Sequence, residues 1–303
     1  MNARTKAHLA VLGTNIFFAA NYSLIKLISP ALIKPFGLNI VRVGVSLLLF
    51  WIVWLFGKTD ARIEKKDIGR FLLCALTGIA INQMLFLKGL VLTSTAHAAL
   101  LMLTTPLIIS VFAFWVLKES MTWTKALGLA IGIGGCVFLI SSRETSSTAP
   151  DYLLGDILII INAISYALYF ILVKPLMNRY SPLHVIRWMF TFGFFMILPF
   201  GWQELSEVQF QSFETAHLIS LAAICITGTF LAYYFNAYGI QHLGAAITGA
   251  YIYTQPVFTV IIAMFLLGEE LTWHKVVAAI LIFAGVYLVN LKRKEIHLIR
   301  PKN

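Results

Sequence analysis

Thr105–Gly135 (TPLIISVFAFWVLKESMTWTKALGLAIGIGG) and Gln255–Gly285 (QPVFTVIIAMFLLGEELTWHKVVAAILIFAG) are two versions of one segment, 150 residues apart. Pro106, Glu119, Thr122, Trp123, Lys125 and Gly135 fall on Pro256, Glu269, Thr272, Trp273, Lys275 and Gly285 without a gap. Widening the register to residues 74–140 gives 13 identities in 67 positions, adding Thr77-Gly78 on Thr227-Gly228 and Gly89 on Gly239. The period is far longer than the roughly 20–50 residues of a stacked solenoid repeat. Each copy is therefore half of a larger body, and composition says where that body sits.

Hydrophobic residues make up 59% of the chain and charged residues 12%, with a mean hydropathy of +0.85. A water-soluble domain of this length could not cover itself with so little polar surface. The apolar residues come in runs near the roughly 20 residues that cross a bilayer core. Ten are read, at about 8–29, 36–56, 68–88, 95–117, 124–141, 153–173, 183–201, 216–238, 245–267 and 273–291. The links are too short to fold independently, so the expectation is an all-α polytopic membrane protein. Arg4 and Lys6 before an apolar run imitate a signal peptide, but the run outlasts a typical h-region and lacks an A-x-A-like site, so it reads as the first span.

The formal charge of +10 could point to nucleic acid, but its placement argues against that. With a cytoplasmic N-terminus, the cytoplasmic segments hold 16 Lys and Arg and the opposite side four, namely Lys34, Lys88, Arg143 and Lys275. Such a bias is the positive-inside pattern, with both termini cytoplasmic and the Lys292–Lys294 cluster facing anionic lipid. Five spans per half is an odd number, so the second half enters the membrane the opposite way round. The early helices agree more loosely: Asn21-Tyr22-Ser23 resembles Ser165-Tyr166-Ala167, and Leu38–Arg42 (LNIVR) resembles Leu183–Arg187 (LHVIR). The expected fold is ten transmembrane helices as two inverted five-helix repeats, residues 1–145 and 146–303. Inverted repeats of this kind underlie alternating access in many secondary transporters.

Two five-helix halves, each ending with Pro, then Glu thirteen residues on, then Thr-Trp and a Gly-rich last helix, resemble the EamA family of the drug/metabolite transporter superfamily. The resemblance covers essentially the whole chain. It implies a ten-helix bundle that moves small metabolites, often amino acids, outward without ATP across the cell inner (plasma) membrane. Ser120 departs from the pattern, since Glu270 stands at the matching place in the second copy.

Pro106 and Pro256 lie mid-span by this reading, where a proline removes a backbone hydrogen bond and frees carbonyls near Met102 and Ile252. They are expected to form paired kinks or hinges close to a pathway. Glu119 and Glu269 stand just before the Thr-Trp that opens the next helix, and a carboxylate there can cap a helix N-terminus. Arg42 and Arg187 are charged-gate candidates at repeat-equivalent sites, because intramembrane ionisable groups mark function by default. Both are also near enough to a surface for a long side chain to snorkel; Lys26 is similar.

The substrate-binding candidates are mostly uncharged: Asn21 and Tyr22, Asn82 and Gln83, Thr105, Tyr166, Tyr233, and Tyr251, Thr254 and Gln255. Around them stand Asn15, His97, Thr104, Asn162, Ser165, Tyr169, Tyr234, Asn236, Tyr238, Thr248 and Tyr253. Polar groups in hydrocarbon must find partners in another helix or a watered cavity. Any single one is accounted for by inter-helix bonding; as a set they point to a central polar cavity. Tyr251 shares a helix face with Thr254 and Gln255 at three- and four-residue spacing.

Absent motifs narrow the chemistry. No Asp or Glu falls deep in a span, Asp156 standing near the start of the sixth, so the commonest proton-relay signature is missing and only a His or a span-end Glu could serve. No Walker A, H-E-x-x-H or G-x-S-x-G motif occurs, and Cys74, Cys136 and Cys225 form no metal or disulfide pattern. An enzyme, a cofactor and a nucleic-acid partner are therefore not expected; a small-molecule substrate and the bilayer are. Trp51, Trp54, Trp115, Trp123, Trp202 and Trp273 read as an interfacial belt. Gly128-x-x-x-Gly132 reads as close helix packing. Three functions stay open: a secondary transporter, a passive channel or scaffold, and an exchanger of phosphorylated or nucleotide-linked metabolites. The last requires a basic cavity, which only Arg42, Arg187 and Lys26 could supply.

Overall fold

The computed structural model describes residues 2–56, 62–105, 107–108, 111–112, 122–141, 150–243, 248 and 251–290. Pro106, Trp115, Glu119, Ser120, Arg143 and the basic C-terminal tail lie outside these residues. The described residues are helical with short links and contain no strand. Seven helical segments are long and apolar enough to cross a membrane: Ala3–Ile28, Pro35–Phe56, Lys65–Leu92, Trp123–Ser141, Tyr152–Met177, Pro182–Ser206 and Thr215–Leu243. Two shorter apolar helices, Tyr251–Leu267 and Trp273–Val289, stand where the ninth and tenth runs were read. The helix Thr95–Met102 opens the fourth. This is a multi-pass membrane protein.

We label the helices α1 (Ala3–Ile28), α2 (Pro35–Phe56), α3 (Ile68–Ala75), α4 (Ile81–Leu92), α5 (Thr95–Met102), α6 (Trp123–Ser141), α7 (Tyr152–Met177), α8 (Pro182–Ser206), α9 (Thr215–Cys225), α10 (Ala232–Leu243), α11 (Gln255–Leu267) and α12 (Trp273–Asn290). Hydrocarbon offers no backbone partner, so each helix must satisfy itself and cap its free N–H groups. Side chains of Asn2, Ser94, Asp151 and Ser181 accept from backbone N–H groups three residues on. The start of α2 is capped from another helix, where Glu204 Oε2 accepts from Phe36 N at 2.7 Å and Gly37 N at 3.0 Å.

The two halves interlock. α1 packs on α9, α10 and α11 of the second half, and its counterpart α7 packs on α3, α4 and α5 of the first. α2 lies on α8 and α6 on α12, each pair being repeat equivalents. Lys26 near the end of α1 and Asp156 near the start of α7 both bond Thr93, so α1 and α7 run in opposite directions.

The α6–α12 seam is made by glycine. A Cβ on Gly285 would stand 2.5 Å from Gly132 N and 2.6 Å from Gly128 O, and one on Gly128 would stand 2.6 Å from Gly285 O. Backbone meets backbone here, as the Gly128-x-x-x-Gly132 spacing implied. Trp123, Trp202 and Trp273 are exposed, as a belt requires, and the three cysteines are buried and free.

Thr77-Gly78 and Thr227-Gly228, matched in the repeat, each lie in a π-helical turn, Leu76–Ala80 between α3 and α4 and Ile226–Leu231 between α9 and α10. A π turn shifts the hydrogen-bond ladder by one residue and exposes carbonyls to other donors. Ser165 Oγ donates to Thr77 O at 2.7 Å, and Thr229 Oγ1 donates to Ile224 O at 2.9 Å.

Candidate functional site

A cavity of about 90 Å³ lies between the halves, walled by α1, α2, α4, α5, α7, α10 and the start of α11. Eight of the ten uncharged candidates line it: Asn21, Tyr22, Asn82, Gln83, Thr105, Tyr166, Tyr233 and Gln255. Arg42, Asn15, Asn162, Asn236 and Thr248 join them, with Val11, Phe18, Phe86, Met102 and Ile252 supplying apolar wall. Val11, Phe18 and Phe86 carried no signal in the sequence, because a cavity-facing apolar side chain looks like any core residue.

Part of the polar lining bonds to itself. Gln83 Nε2 donates to Tyr233 Oη at 3.1 Å, and Asn82 Nδ2 donates to Asn162 Oδ1. Asn162 Nδ2 in turn approaches Met102 Sδ at 3.1 Å, while the Tyr22 phenol is hydrogen-bonded with the Gln255 side chain. Six other atoms of wall residues are unpartnered among the described residues: Asn21 Oδ1, Gln83 Oε1, Asn236 Oδ1, Thr105 Oγ1, Thr248 Oγ1 and one terminal nitrogen of Arg42. Six orphaned polar atoms in one cavity is a high local density, since buried polar groups are normally paired and each unpaired one costs about 1–3 kcal/mol.

Arg42 does not snorkel. It is 3% exposed, its Nε donates to Thr229 Oγ1 at 3.1 Å, and no described carboxylate pairs with it. The π turn explains its position, because Thr229 Oγ1 reaches back to Ile224 O and is thereby oriented to accept from Arg42. The cavity thus contains a cation whose counter-charge the described residues do not provide.

The remaining candidates lie elsewhere. Arg187 is fully buried and outside the cavity wall, its guanidinium 4.9 Å from the ring centroids of both Trp51 and Trp54, with a bond of 3.3 Å to His184 Nδ1. Arg187 does not snorkel either, and Trp51 and Trp54, set nearly perpendicular to each other at 82°, both take its charge as cation–π partners as well as lying near a span end. Tyr251 and Thr254 do not line the cavity. Tyr251–Thr254 forms a 3₁₀ turn of three residues per turn, which keeps Tyr251 and Thr254 on one face but rotates Gln255 away from Tyr251. Tyr251 Oη meets His8 Nδ1 at 2.8 Å, and Thr254 Oγ1 donates to Tyr251 O at 2.7 Å.

Pro256 is buried in the first turn of α11, directly after the 3₁₀ turn, and not inside a continuous helix. The missing N–H costs nothing there, because the first turn has no intrahelical acceptor for it. Glu269 does cap a helix, but not the one that follows it. Gly268, with φ +64°, turns the chain in the left-handed conformation that glycine favours. Glu269 then accepts from Thr95 N at 2.8 Å and Ala96 N at 3.2 Å, capping α5 of the other half. Lys26 donates to Thr93 O beside it.

A two-repeat helical bundle with a polar cavity between its halves is the architecture of a membrane carrier. The chain belongs to the EamA-like transporter family, whose model matches residues 5–141 and 153–291 as two copies, within the drug/metabolite transporter superfamily. It is 23% identical over 299 residues to an uncharacterized transporter of Archaeoglobus fulgidus, covering 97% of this chain and 100% of that one. It is 25% identical over 283 residues to the uncharacterized transporter YyaM of Bacillus subtilis, covering 92% of each. It is 26% identical over 233 residues to a probable terminal-alkyne amino-acid exporter of Streptantibioticus cattleyicolor, covering 76% of this chain and 75% of that one. A crystal structure with 15% identity aligns with a TM-score of 0.62 over 95% of this chain and 96% of that chain, a likeness of fold. Family and relatives point to a transporter and not to an enzyme.

Proposed function

We propose that this chain is a secondary transporter that moves small zwitterionic metabolites, amino acids foremost, outward across the cytoplasmic membrane. The scheme has ten spans in two halves of opposite orientation, both termini cytoplasmic, and alternating access to one central cavity. Arg42 carries the reading. Its unpartnered terminal nitrogen suits a substrate carboxylate, for which arginine is the favoured partner. The carbonyl oxygens of Asn21, Gln83 and Asn236 suit an ammonium group, and Phe18, Phe86, Met102 and Ile252 suit an apolar side chain. The pairing turns four of the six orphaned atoms into ligands. The junction of the 3₁₀ turn with α11 at Pro256, and the matching place at Pro106 by symmetry, would be the hinge as the cavity changes face.

Phosphorylated or nucleotide-linked substrates fit less well. They carry about two or more negative charges, whereas Arg42 is the cationic side chain in the described wall. Counterflow in proteoliposomes against a panel of amino acids and phosphorylated metabolites tests the proposal. A carrier gives saturable uptake accelerated by the same compound inside; a channel gives unsaturated flux without acceleration. Arg42→Gln is expected to raise KM for the carboxylated substrate by at least about tenfold, since a hydrogen bond to a charged group contributes about 1.5–3 kcal/mol. Its thermal stability should hold, because the substitution removes an uncompensated buried charge. Unchanged KM in that variant would dismiss Arg42 as the carboxylate partner.

A further inference from the structure

At the end of the bundle where α1 finishes and α7 begins, a closed polar cluster joins both halves. Asp156 Oδ1 accepts from Thr93 Oγ1 at 2.5 Å, and Asp156 Oδ2 lies 3.0 Å from His97 Nδ1. Each of the two side chains is 1% exposed. His97 Nε2 is buried with no partner among the described residues, and the Tyr152 ring packs edge-on at 5.3 Å. Among the described residues, the charged groups on neighbouring segments include Lys26 from α1, Asp151 at the start of α7, Glu269 and Glu270 before α12, and Lys275 in α12. Lys26 bonds Thr93 O, Asp151 caps its own helix, Glu269 caps α5, and Lys275 donates to Glu270 O at 2.9 Å.

A carboxylate that accepts at both oxygens orients its histidine partner with Nδ1–H toward it. This leaves on Nε2 a lone pair that no described group occupies. The pair also stands close above the cavity. Asp156 precedes Asn162, and His97 precedes Met102, by five or six residues, roughly 8–9 Å of helix; Asn162 and Met102 are cavity wall.

We propose that the His97–Asp156 pair is the proton-binding site of this carrier, which makes it a substrate/proton antiporter. The inference rests on the transport reading above and adds the coupling ion to it. When this end is open, a proton leaves hydronium in that compartment and forms an N–H bond at His97 Nε2. The resulting imidazolium lies against the Asp156 carboxylate, which strengthens the bonds from Asp156 to α5 and Thr93 and shuts this end. After the cavity opens to the other side, the Nε2–H bond breaks and the proton passes to water there. Nothing is oxidised or reduced, and one charge crosses with each return step.

Proteoliposomes with leucine as the probe, chosen for the apolar wall, and a trapped pH-sensitive dye test this. Leucine counterflow without a pH gradient checks transport alone. Leucine accumulation against an imposed gradient, with leucine-evoked proton flux, checks coupling. Wild type should show both. His97→Asn keeps a donor toward Asp156 but cannot hold the proton. It should retain counterflow within about threefold while losing proton flux and gradient-driven accumulation at least tenfold. Asp156→Asn should show the same split, and serves if the first variant does not fold. Wild-type counterflow without proton flux overturns the proposal and leaves the transport reading standing. Persistent proton flux in His97→Asn overturns the site. Absence of counterflow with every metabolite of the panel sinks the transport reading and this one with it.

Discussion

Arg42 and Arg187 occupy matching places in the two halves, in LNIVR and LHVIR, yet meet opposite chemistry. Arg42 finds the hydroxyl of Thr229 in the second π turn and faces the cavity. The residue that Arg187 would meet by symmetry is Ile79 in the first π turn, 150 residues before Thr229, which has no acceptor. α8 instead closes on it, and a Cβ at Gly193 would stand 2.5 Å from Ile79 Cγ2. Arg187 turns to the rings of Trp51 and Trp54, whose counterparts beside Arg42 are Met196 and Pro199. One backbone plan thus carries two arginines, one packed against two aromatic rings and one left with an unpartnered terminal nitrogen. The repeat builds the frame, and the positions at which the halves differ decide where function lies.

The largest effect is expected from making the halves alike. Thr229→Ile puts the first half's residue beside Arg42 and removes the acceptor that orients it. The KM for a carboxylated amino acid should rise about tenfold or more, the range of a hydrogen bond to a charged group. Thr229→Ser should restore most of it. In an Arg42→Gln background the same substitution should add little, because two residues acting through one contact are not additive. A full additional loss in the double variant would mean that Thr229 acts through packing and not through Arg42.

Much of this arrangement was legible beforehand. The paired Pro, Glu, Thr-Trp and Gly positions disclosed the repeat, and the α6–α12 seam was visible as glycine spacing. Asn21, Gln83 and Tyr233 stood out because polar groups are costly in hydrocarbon. Other features depended on geometry that spacing alone does not carry. Tyr251 was placed beside Gln255 by an α-helical period that the 3₁₀ turn does not follow. Glu269 reaches α5, and not its own following helix, because Gly268 turns the chain. His97 and Asp156 are 59 residues apart in different halves, and neither has a repeat counterpart of its own type. The two arginines looked equivalent because the residues that distinguish them, Ile79 against Thr229, lie on other helices.

A smaller effect is expected at Arg187. Arg187→Met removes the charge held over Trp51 and Trp54 while keeping an unbranched apolar side chain. Substrate KM should stay within about twofold of wild type, since Arg187 is outside the cavity wall. Stability in detergent should fall by about 1–2 kcal/mol, the scale of a desolvated cation–π contact. Arg187→Lys should not restore it fully, because an ammonium is more strongly hydrated than a guanidinium and cannot stack on an aromatic face. A tenfold KM change in Arg187→Met would erase the functional difference between the two arginines.

The smallest effect belongs to the same helix pair at its exposed end. Lys34 Nζ bonds Glu207 Oε2 at 2.6 Å with both side chains about half exposed. The contact holds the Glu207 carboxyl below the usual carboxylate range and raises the Lys34 ammonium above the usual lysine value. Its stabilisation is fully present between the two ordinary values. It is lost as pH falls through the depressed carboxyl pKa or rises through the elevated amine pKa. Around neutrality it should be flat with pH and weakened by salt, because exposed charges are screened. Lys34→Ala should therefore lower the melting temperature less than Arg187→Met does. Glu204, one turn earlier on α8, accepts two backbone N–H groups at the start of α2, and Glu204→Gln should cost more than Lys34→Ala. If the order were reversed, α2 and α8 would be held together at their exposed end by the ion pair. The middle of the interface, where Arg42 and Arg187 part company, would then be free to slide, and the difference between the two arginines would belong to one conformation of the carrier and not to its frame.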